Sequence, residues 1–209
     1  MNSYSLEINN LSKNFGRRLI FRDINYTIRK NTVLGISGNN GSGKSTFMKI
    51  VAGVLSPNKG EIVHSINGIK IVDNELFNYI GFVSPYLVLY EEFSAEENLK
   101  IFSKIRGIKF NSEYSKELFE KLNLFNRRKE FVKNYSSGMK QRLKYIFALL
   151  HQPELLLLDE PTSNLDSEGK EAVYYIIEKF SEHKTVIIAS NEEQDLKYCK
   201  ELIKLENYK

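Results

Sequence analysis

Polar and apolar positions alternate in two early stretches, SLEINNL from Ser5 and INYTI from Ile24, before a continuous apolar run in TVLGIS at 32–37. Alternation marks strands with one face in a core, whereas a short unbroken run of Val, Leu and Ile marks a strand covered on both faces. The pattern predicts a helix from Ser45 to about Val54, stopped by Gly53 and the turn cluster SPNKG at 56–60. Strand-like sequence returns from GEIVHSI to IGFV at 80–83. From about 90 to 151 the period lengthens to that of helices. Ser94-Ala95-Glu96-Glu97 is a capping box opening ENLKIFSKIRG, a second helix covers SEYSKELFEKL, and a third runs through MKQRLKYIFALLH. Buried-strand character resumes in LLLLD at 155–159 and TVIIA at 185–189, with the helix SEGKEAVYYIIEKF between them, and ELIKLE follows. The layout is an α/β core carrying a mainly helical insert without a linker, one domain over residues 1–209.

Composition alters this picture little. At 209 residues, 42% hydrophobic and 27% charged, the chain can bury about 70% of its unfolded surface in one core. A balance of 30 basic against 26 acidic residues gives +4, too mild to argue for nucleic acid, and none is expected as a partner. A single cysteine, Cys199, suits a reducing compartment and reads as an inert, partly buried thiol. The start MNSYSLEINN lacks the pattern of a secretory signal, and no run approaches 18 apolar residues. A cytoplasmic protein is expected, reaching a membrane only through a partner.

Chemistry enters directly after TVLGIS. Gly38-Asn39-Asn40-Gly41-Ser42-Gly43-Lys44-Ser45-Thr46 fits G-x-x-x-x-G-K-[ST] between a strand and a helix. Glycines let backbone N–H groups converge on an anion, and the helix start adds its positive end. Lys44 supplies a mobile charge for β- and γ-phosphates, and the Ser45 hydroxyl is placed to ligate Mg²⁺. A nucleoside triphosphate is the ligand this loop predicts.

LLLLDEP then sets Asp159 and Glu160 side by side at the carboxyl end of an apolar strand. Adjacent acids there are costly unless a cation or a proton transfer uses them. Asp159 is expected to hold Mg²⁺ through its water shell and Glu160 to orient or deprotonate the attacking water.

Between these motifs lies Tyr135-Ser136-Ser137-Gly138-Met139-Lys140-Gln141-Arg142, and Thr162-Ser163-Asn164-Leu165-Asp166 follows the acid pair. Taken in order, the motifs resemble the nucleotide-binding domain of an ABC (ATP-binding cassette) protein over essentially the whole chain. The resemblance implies a P-loop NTPase core with a mainly parallel sheet, an N-terminal antiparallel β subdomain and a helical subdomain at about 90–150. YSSGMKQR resembles the family signature LSGGQ-x-Q-R, matching at Ser136 and Gly138 and departing at Tyr135, Ser137 and Met139. The family uses that stretch to close over ATP bound by a second subunit. A head-to-tail homodimer or heterodimer with a second ABC domain is therefore implied, with Ser136, Ser137 and Gly138 facing the partner's nucleotide. Asp166 matches the D-loop acid linking the two sites, and Phe15 matches the aromatic that stacks on adenine. Arg17 and Arg18 read as a solvated turn.

Two positions depart from the family. Its glutamine at the junction of core and insert is replaced by Pro85, in Ile80-Gly81-Phe82-Val83-Ser84-Pro85, which offers neither a side-chain ligand nor an N–H. Water or Ser84 is then needed to complete the metal shell. Its histidine beside the γ-phosphate is replaced by Asn191, which can donate a hydrogen bond but cannot carry charge or shuttle a proton. Asn191 also reads as an N-cap with Gln194 completing a capping box, so capping alone and capping with phosphate sensing both stand.

The leading function is the ATP-binding and ATP-hydrolysing subunit of a transporter whose membrane-spanning subunits are separate chains. Cofactors are ATP and Mg²⁺, turnover is slow, and the segment YIGFVSPYLVLYEEF at 79–93 and the insert serve for docking. The competing readings are an ATP-dependent switch that barely hydrolyses, a soluble ABC protein outside transport, and a nucleotide kinase sharing the phosphate loop.

Overall fold

The computed structural model describes residues 3–209 and resolves the pattern into two sheets. Strands β1 (Tyr4–Phe15) and β2 (Arg18–Arg29) form an antiparallel hairpin longer than its alternating stretches suggest, since pairing continues to Phe15 opposite Arg18. After β3 (Val33–Ser37) and helix α1 (Lys44–Val51), strands β4 (Lys59–Ile66) and β5 (Ile69–Lys70) complete an antiparallel sheet of order β2-β1-β4-β5. Strand β6 (Ile80–Val83) leads into the insert, made of α2 (Ala95–Ile105), α3 (Ser112–Lys121) and α4 (Ser137–Leu149). Then come β7 (Leu155–Asp159), α5 (Ser167–Ser181), β8 (Thr185–Ala189), the one-turn α6 (Glu193–Leu196) and β9 (Glu201–Lys204).

The second sheet runs β6-β7-β8-β3-β9, and all four of its ladders are parallel. The run LLLLD shows why its strands carry no alternation. Leu156 and Leu158 enter a core shared with the helices of the insert and α5, while Leu155 and Leu157 enter a second core against α1 and the antiparallel sheet. Successive side chains of a strand point to opposite faces, so a strand between two cores needs an apolar residue at every position.

Register brings the chemistry together. Asp159 pairs with Ala189 across β7 and β8, and Ile36 pairs with Ala189 across β3 and β8. The phosphate loop, the acid pair and Asn191 thus leave three neighbouring strands at the same edge, the carboxyl edge where α/β sheets take ligands.

Some expected boundaries move. Helix α1 stops at Val51, and Gly53 then takes a left-handed φ of 71°. The strand-like stretch 60–83 contains a 3-10 turn at Asp73–Asn78, which buries Leu76. The capping box forms as expected: Ser94 Oγ accepts from Glu97 N–H and the Glu97 carboxylate accepts from Ser94 N–H at 2.8 Å.

Core and insert meet without slack at Gly81 on β6. A Cβ there would lie 2.3 Å from the Ala148 carbonyl oxygen on α4 and 3.0 Å from Pro153. The first obstacle is backbone, which cannot rotate away. Gly81→Ala is therefore expected to lower stability by about 1–3 kcal/mol, read as a lower urea midpoint. An unchanged midpoint would mean that β6 and α4 can part without cost.

Candidate functional site

The phosphate loop is built by its glycines. Gly38, Gly41 and Gly43 have φ of 153°, 78° and 115°, a region that side-chain-bearing residues seldom occupy. At Gly43 a Cβ would also stand 2.4 Å from Ile20 of β2, so the loop is pressed against the antiparallel sheet just before α1 begins. Ser42 N–H donates to Asn39 O at 2.9 Å, closing the turn. Lys44 lies buried under it, its ammonium donating to Gly38 O at 2.8 Å and standing 3.5 Å from Glu160 Oε1. The Asn39 N–H is taken by Glu206 Oε1 at 2.7 Å, which fixes the outer shoulder of the loop.

Asp159 is fully buried, at 0% exposure, and neither of its carboxylate oxygens has a hydrogen-bond partner. Burial pushes its carboxyl above the usual range; the Ser45 hydroxyl and the Lys44 charge counter part of the shift, although Ser45 does not reach hydrogen-bond geometry. An orphaned buried carboxylate next to a hydroxyl is what a hydrated cation would satisfy. Among the described residues no group of three or more His, Cys, Asp or Glu stands together as a metal cage. The donor set therefore suits Mg²⁺ shared with phosphate oxygens and water, with Ser45 and Asp159 as the protein's part.

Glu160 follows at a left-handed φ of 52°, its N–H held by Ala189 O at 2.8 Å. That turn lifts its carboxylate out of the strand and toward Lys44. Burial raises its pKa, Lys44 opposes the shift, and the Asp159 and Asp195 charges add to it. The same turn is held from below by a buried network: Thr162 Oγ1, Tyr174 OH and Ser190 Oγ all donate to the Asp195 carboxylate, at 2.9, 2.9 and 2.6 Å.

At the end of β8 the structure corrects one expectation. Asn191 does not cap a helix: α6 begins at Glu193, Glu192 occupies the cap position without a side-chain bond, and the Glu192 N–H goes to Ser190 Oγ at 3.0 Å. With Ser190 closing that turn, Asn191 is free to point elsewhere, and its Nδ2 donates to Asn40 Oδ1 of the phosphate loop at 3.3 Å. Pro85 lines the cavity over the loop, while Ser84 Oγ accepts from Tyr86 N–H at 3.3 Å.

That cavity, of about 440 Å³, is lined by Phe15, Arg18, Asn40, Lys44, Thr46 and Glu160 among others. Phe15 is half exposed at its mouth with the Lys13 ammonium 5.0 Å from the ring centroid. Two further lining residues escaped the sequence reading. Arg18, read there as solvated, reaches Gly41 O at 3.4 Å, and Tyr86, read there only as part of the docking segment, joins the lining with Lys49 over its ring at 4.5 Å. Neither carries a local signal, because their proximity is made by the turn after β1 and the loop after β6.

Ser136, Ser137 and Gly138 do not line this cavity. Ser136 caps α4 by accepting from Met139 N–H at 3.2 Å, and both serines are exposed. Asp166 caps α5 by accepting from Gly169 N–H at 2.8 Å. Cys199 is partly buried, and burial pushes its thiol up to about 12, so it carries no thiolate at neutral pH.

Comparison with known proteins agrees with this geometry. A family model described as "ABC transporter" matches residues 21–163. A lantibiotic transport ATP-binding protein of Streptococcus pyogenes, SrtF, is 38% identical over 187 residues, 89% of this chain and 80% of that one. A solved structure of an ATP-binding protein from Pyrococcus furiosus, titled a putative ABC transporter, is similar at TM-score 0.84 and 30% identity over 98% of both chains. The dimeric structure of MJ0796, a bacterial ABC transporter cassette, is similar at TM-score 0.82 and 25% identity, over 96% of this chain and 94% of that one.

Proposed function

The chain belongs to the ABC transporter family as one of its ATP-binding, ATP-hydrolysing subunits, and from that premise we propose that it works as a slow motor, each ATP clamped head to tail between its phosphate loop and the Ser136-Ser137-Gly138 bend of a second ABC domain. The observation that carries the reading is the split of the site within one chain. The loop, Lys44, Ser45 and Glu160 line one cavity, while Ser136 and Ser137 at the helix start stay exposed and outside it.

Each residue then has a role its geometry permits. Phe15 stacks on the adenine, and the amides of residues 38–46 with Lys44 hold the phosphates. Ser45 and Asp159 would hold Mg²⁺, which when bound neutralises charge on the phosphate oxygens. Glu160 orients the attacking water and accepts its proton, and Lys44 keeps that carboxylate aimed at the phosphates. Asp166 lies at the surface that meets the partner. The second ABC domain is another copy or a relative.

Among the described residues no helix is long and apolar enough to cross a membrane. Separate membrane subunits would dock on the loop after β6, where Tyr86, Val88 and Tyr90 are 67%, 85% and 57% exposed, and keep the protein at the cytoplasmic face. SrtF is named for lantibiotic transport, which makes a lantibiotic the first cargo to test.

Slowness follows from Asn191. An amide can donate to a γ-phosphate oxygen but brings no charge and no proton relay. Asn191→His is expected to raise turnover about tenfold in a phosphate-release assay, the rate equivalent of one charge-assisted contact. A rate unchanged or lowered would place the limit elsewhere.

The test of the whole reading is sedimentation of the Glu160→Gln chain with and without Mg-ATP, together with the hydrolysis rate of the unmodified chain. An ATP-dependent dimer with measurable turnover supports the motor, and a dimer without turnover points to the switch. A chain that stays monomeric at saturating ATP, alone and with its transporter partners, ends the reading.

A further inference from the structure

The junction of core and insert holds a lysine that neither motif nor metal chemistry requires. Lys144 lies on α4 two turns beyond Ser136, is only 9% exposed, and donates its ammonium to the Ser84 carbonyl at 3.1 Å and the Pro85 carbonyl at 2.9 Å. A buried ammonium is expensive unless its donors are met, and two backbone acceptors at these distances fix its position. Beyond it the same loop is gripped twice more from the segment leading into α4 and from its first turn, Lys133 pairing with Glu92 at 2.9 Å and Lys140 pairing with Glu91. Those two pairs are exposed and contribute little; the buried contact sets the position.

What Lys144 holds matters because of where its two ends lie. Pro85 is a wall of the nucleotide cavity, in the place where no side-chain amide is available to reach into the site. Ser136, Ser137 and Gly138 form the head of the helix that carries Lys144. From Ser137 to Lys144 the helix rises about 10 Å as a stiff rod. The Tyr145 hydroxyl from the next position donates to Pro161 O at 2.9 Å, so α4 rests on both the acid-pair turn and the Pro85 loop.

We propose that Lys144 is a positioning residue that transmits the state of the chain's own nucleotide cavity, through the Ser84 and Pro85 carbonyls and along α4, to the serine-glycine bend at the helix head. A shift of the Pro85 wall on nucleotide entry pulls the ammonium and tilts the helix. The consequence for a partner's ATP rests on the head-to-tail reading, but the transmission itself is a property of one chain.

Hydrogen exchange on the dilute monomer tests it, with Mg²⁺ and a non-hydrolysable ATP analogue as the probe. In the unmodified chain the analogue is expected to slow exchange in peptides covering the phosphate loop and also, by about threefold or more, in peptides covering 135–149. Lys144→Met should keep the first response and lose the second; Lys144→Arg, which retains donors, should keep both. A Met variant whose α4 response stays within about twofold of the parent overturns the proposal. So does uniformly faster α4 exchange with the response intact, since that is a purely structural role. An unmodified chain without an α4 response, or an Arg variant that loses it, overturns it as well. Should the Met variant fail to fold, the Arg variant and the unmodified chain decide the matter. Because no dimer is needed, a negative result here is distinct from failure of Glu160→Gln to dimerise.

Discussion

Glu160→Gln is expected to cut steady-state ATP turnover by at least about a hundredfold while leaving nucleotide affinity within about twofold, since a general base contributes a factor of this order to the rate and little to ground-state binding. The substitution keeps the shape of the side chain and its place 3.5 Å from Lys44, but an amide cannot take up the proton of an attacking water. The left-handed turn at φ 52° tolerates glutamine as well as it does glutamate, so the variant should fold with an unchanged melting temperature. A second signature lies in the pH profile. Burial raises the Glu160 pKa in the folded chain, and the base works only when deprotonated. Turnover of the unmodified enzyme should therefore fall, as pH is lowered, at a higher pH than for an exposed glutamate, and this acid limb should vanish from the residual activity of the variant. Turnover within about fivefold of the parent would remove Glu160 from the role of base.

The second large effect is a trade between stability and function at Asp159. Its carboxyl is pushed up by burial, so the folded state prefers it protonated. Such a group favours folding below its unfolded pKa, and that advantage is lost as pH rises through the folded value. Near neutral pH the charged carboxylate is therefore a burden on the nucleotide-free chain, with both oxygens unpartnered. Asp159→Asn removes the charge and is expected to stabilise that form at pH 7 by about 1 kcal/mol, measured by urea titration without nucleotide or metal. The same variant should lose the enhancement of nucleotide binding by Mg²⁺ and at least about a hundredfold in turnover, the result expected of the carboxylate proposed to hold the metal's shell. A variant that is less stable at neutral pH, or that still binds nucleotide better with Mg²⁺, would show that Asp159 has another employment.

How much of this could be read beforehand depended on whether the cause was local. The phosphate loop was legible because its glycines, Lys44 and Ser45 must be contiguous to wrap an anion. LLLLD and TVIIA were legible because a strand between two cores is apolar along its length, with Asp159 and Thr185 only at its ends. The start of α4 was legible to within two residues from its periodic pattern: the helix opens at Ser137, after the Ser136 cap, rather than at Met139. What stayed hidden was set by neighbours distant in the chain. Arg18 meets Gly41 through a hairpin turn, and Lys144 meets Pro85 across about 60 residues of sequence, a long-range contact that propensity does not encode. The turn after β8 was misread for a smaller reason: the helix starts one residue later than Asn191 as a cap requires, with Glu192 at the cap position and Ser190 closing the turn on the Glu192 N–H.

The position of β3 within its sheet has a consequence for biosynthesis. Both of its neighbours, β8 and β9, come from beyond residue 184, whereas the hairpin β1–β2 can close as soon as it is made. A nascent chain must therefore carry VLGIS with both edges open until β8 has been made, and with one edge open until residue 204 has left the ribosome, roughly ten to thirty seconds at ordinary elongation rates. An exposed apolar strand of that kind is a template for wrong pairing. Slow-translating or truncated forms lacking β9 should accordingly be clients of chaperones and proteases, and the loop that grips phosphate would be among the last features of the nascent protein to exist.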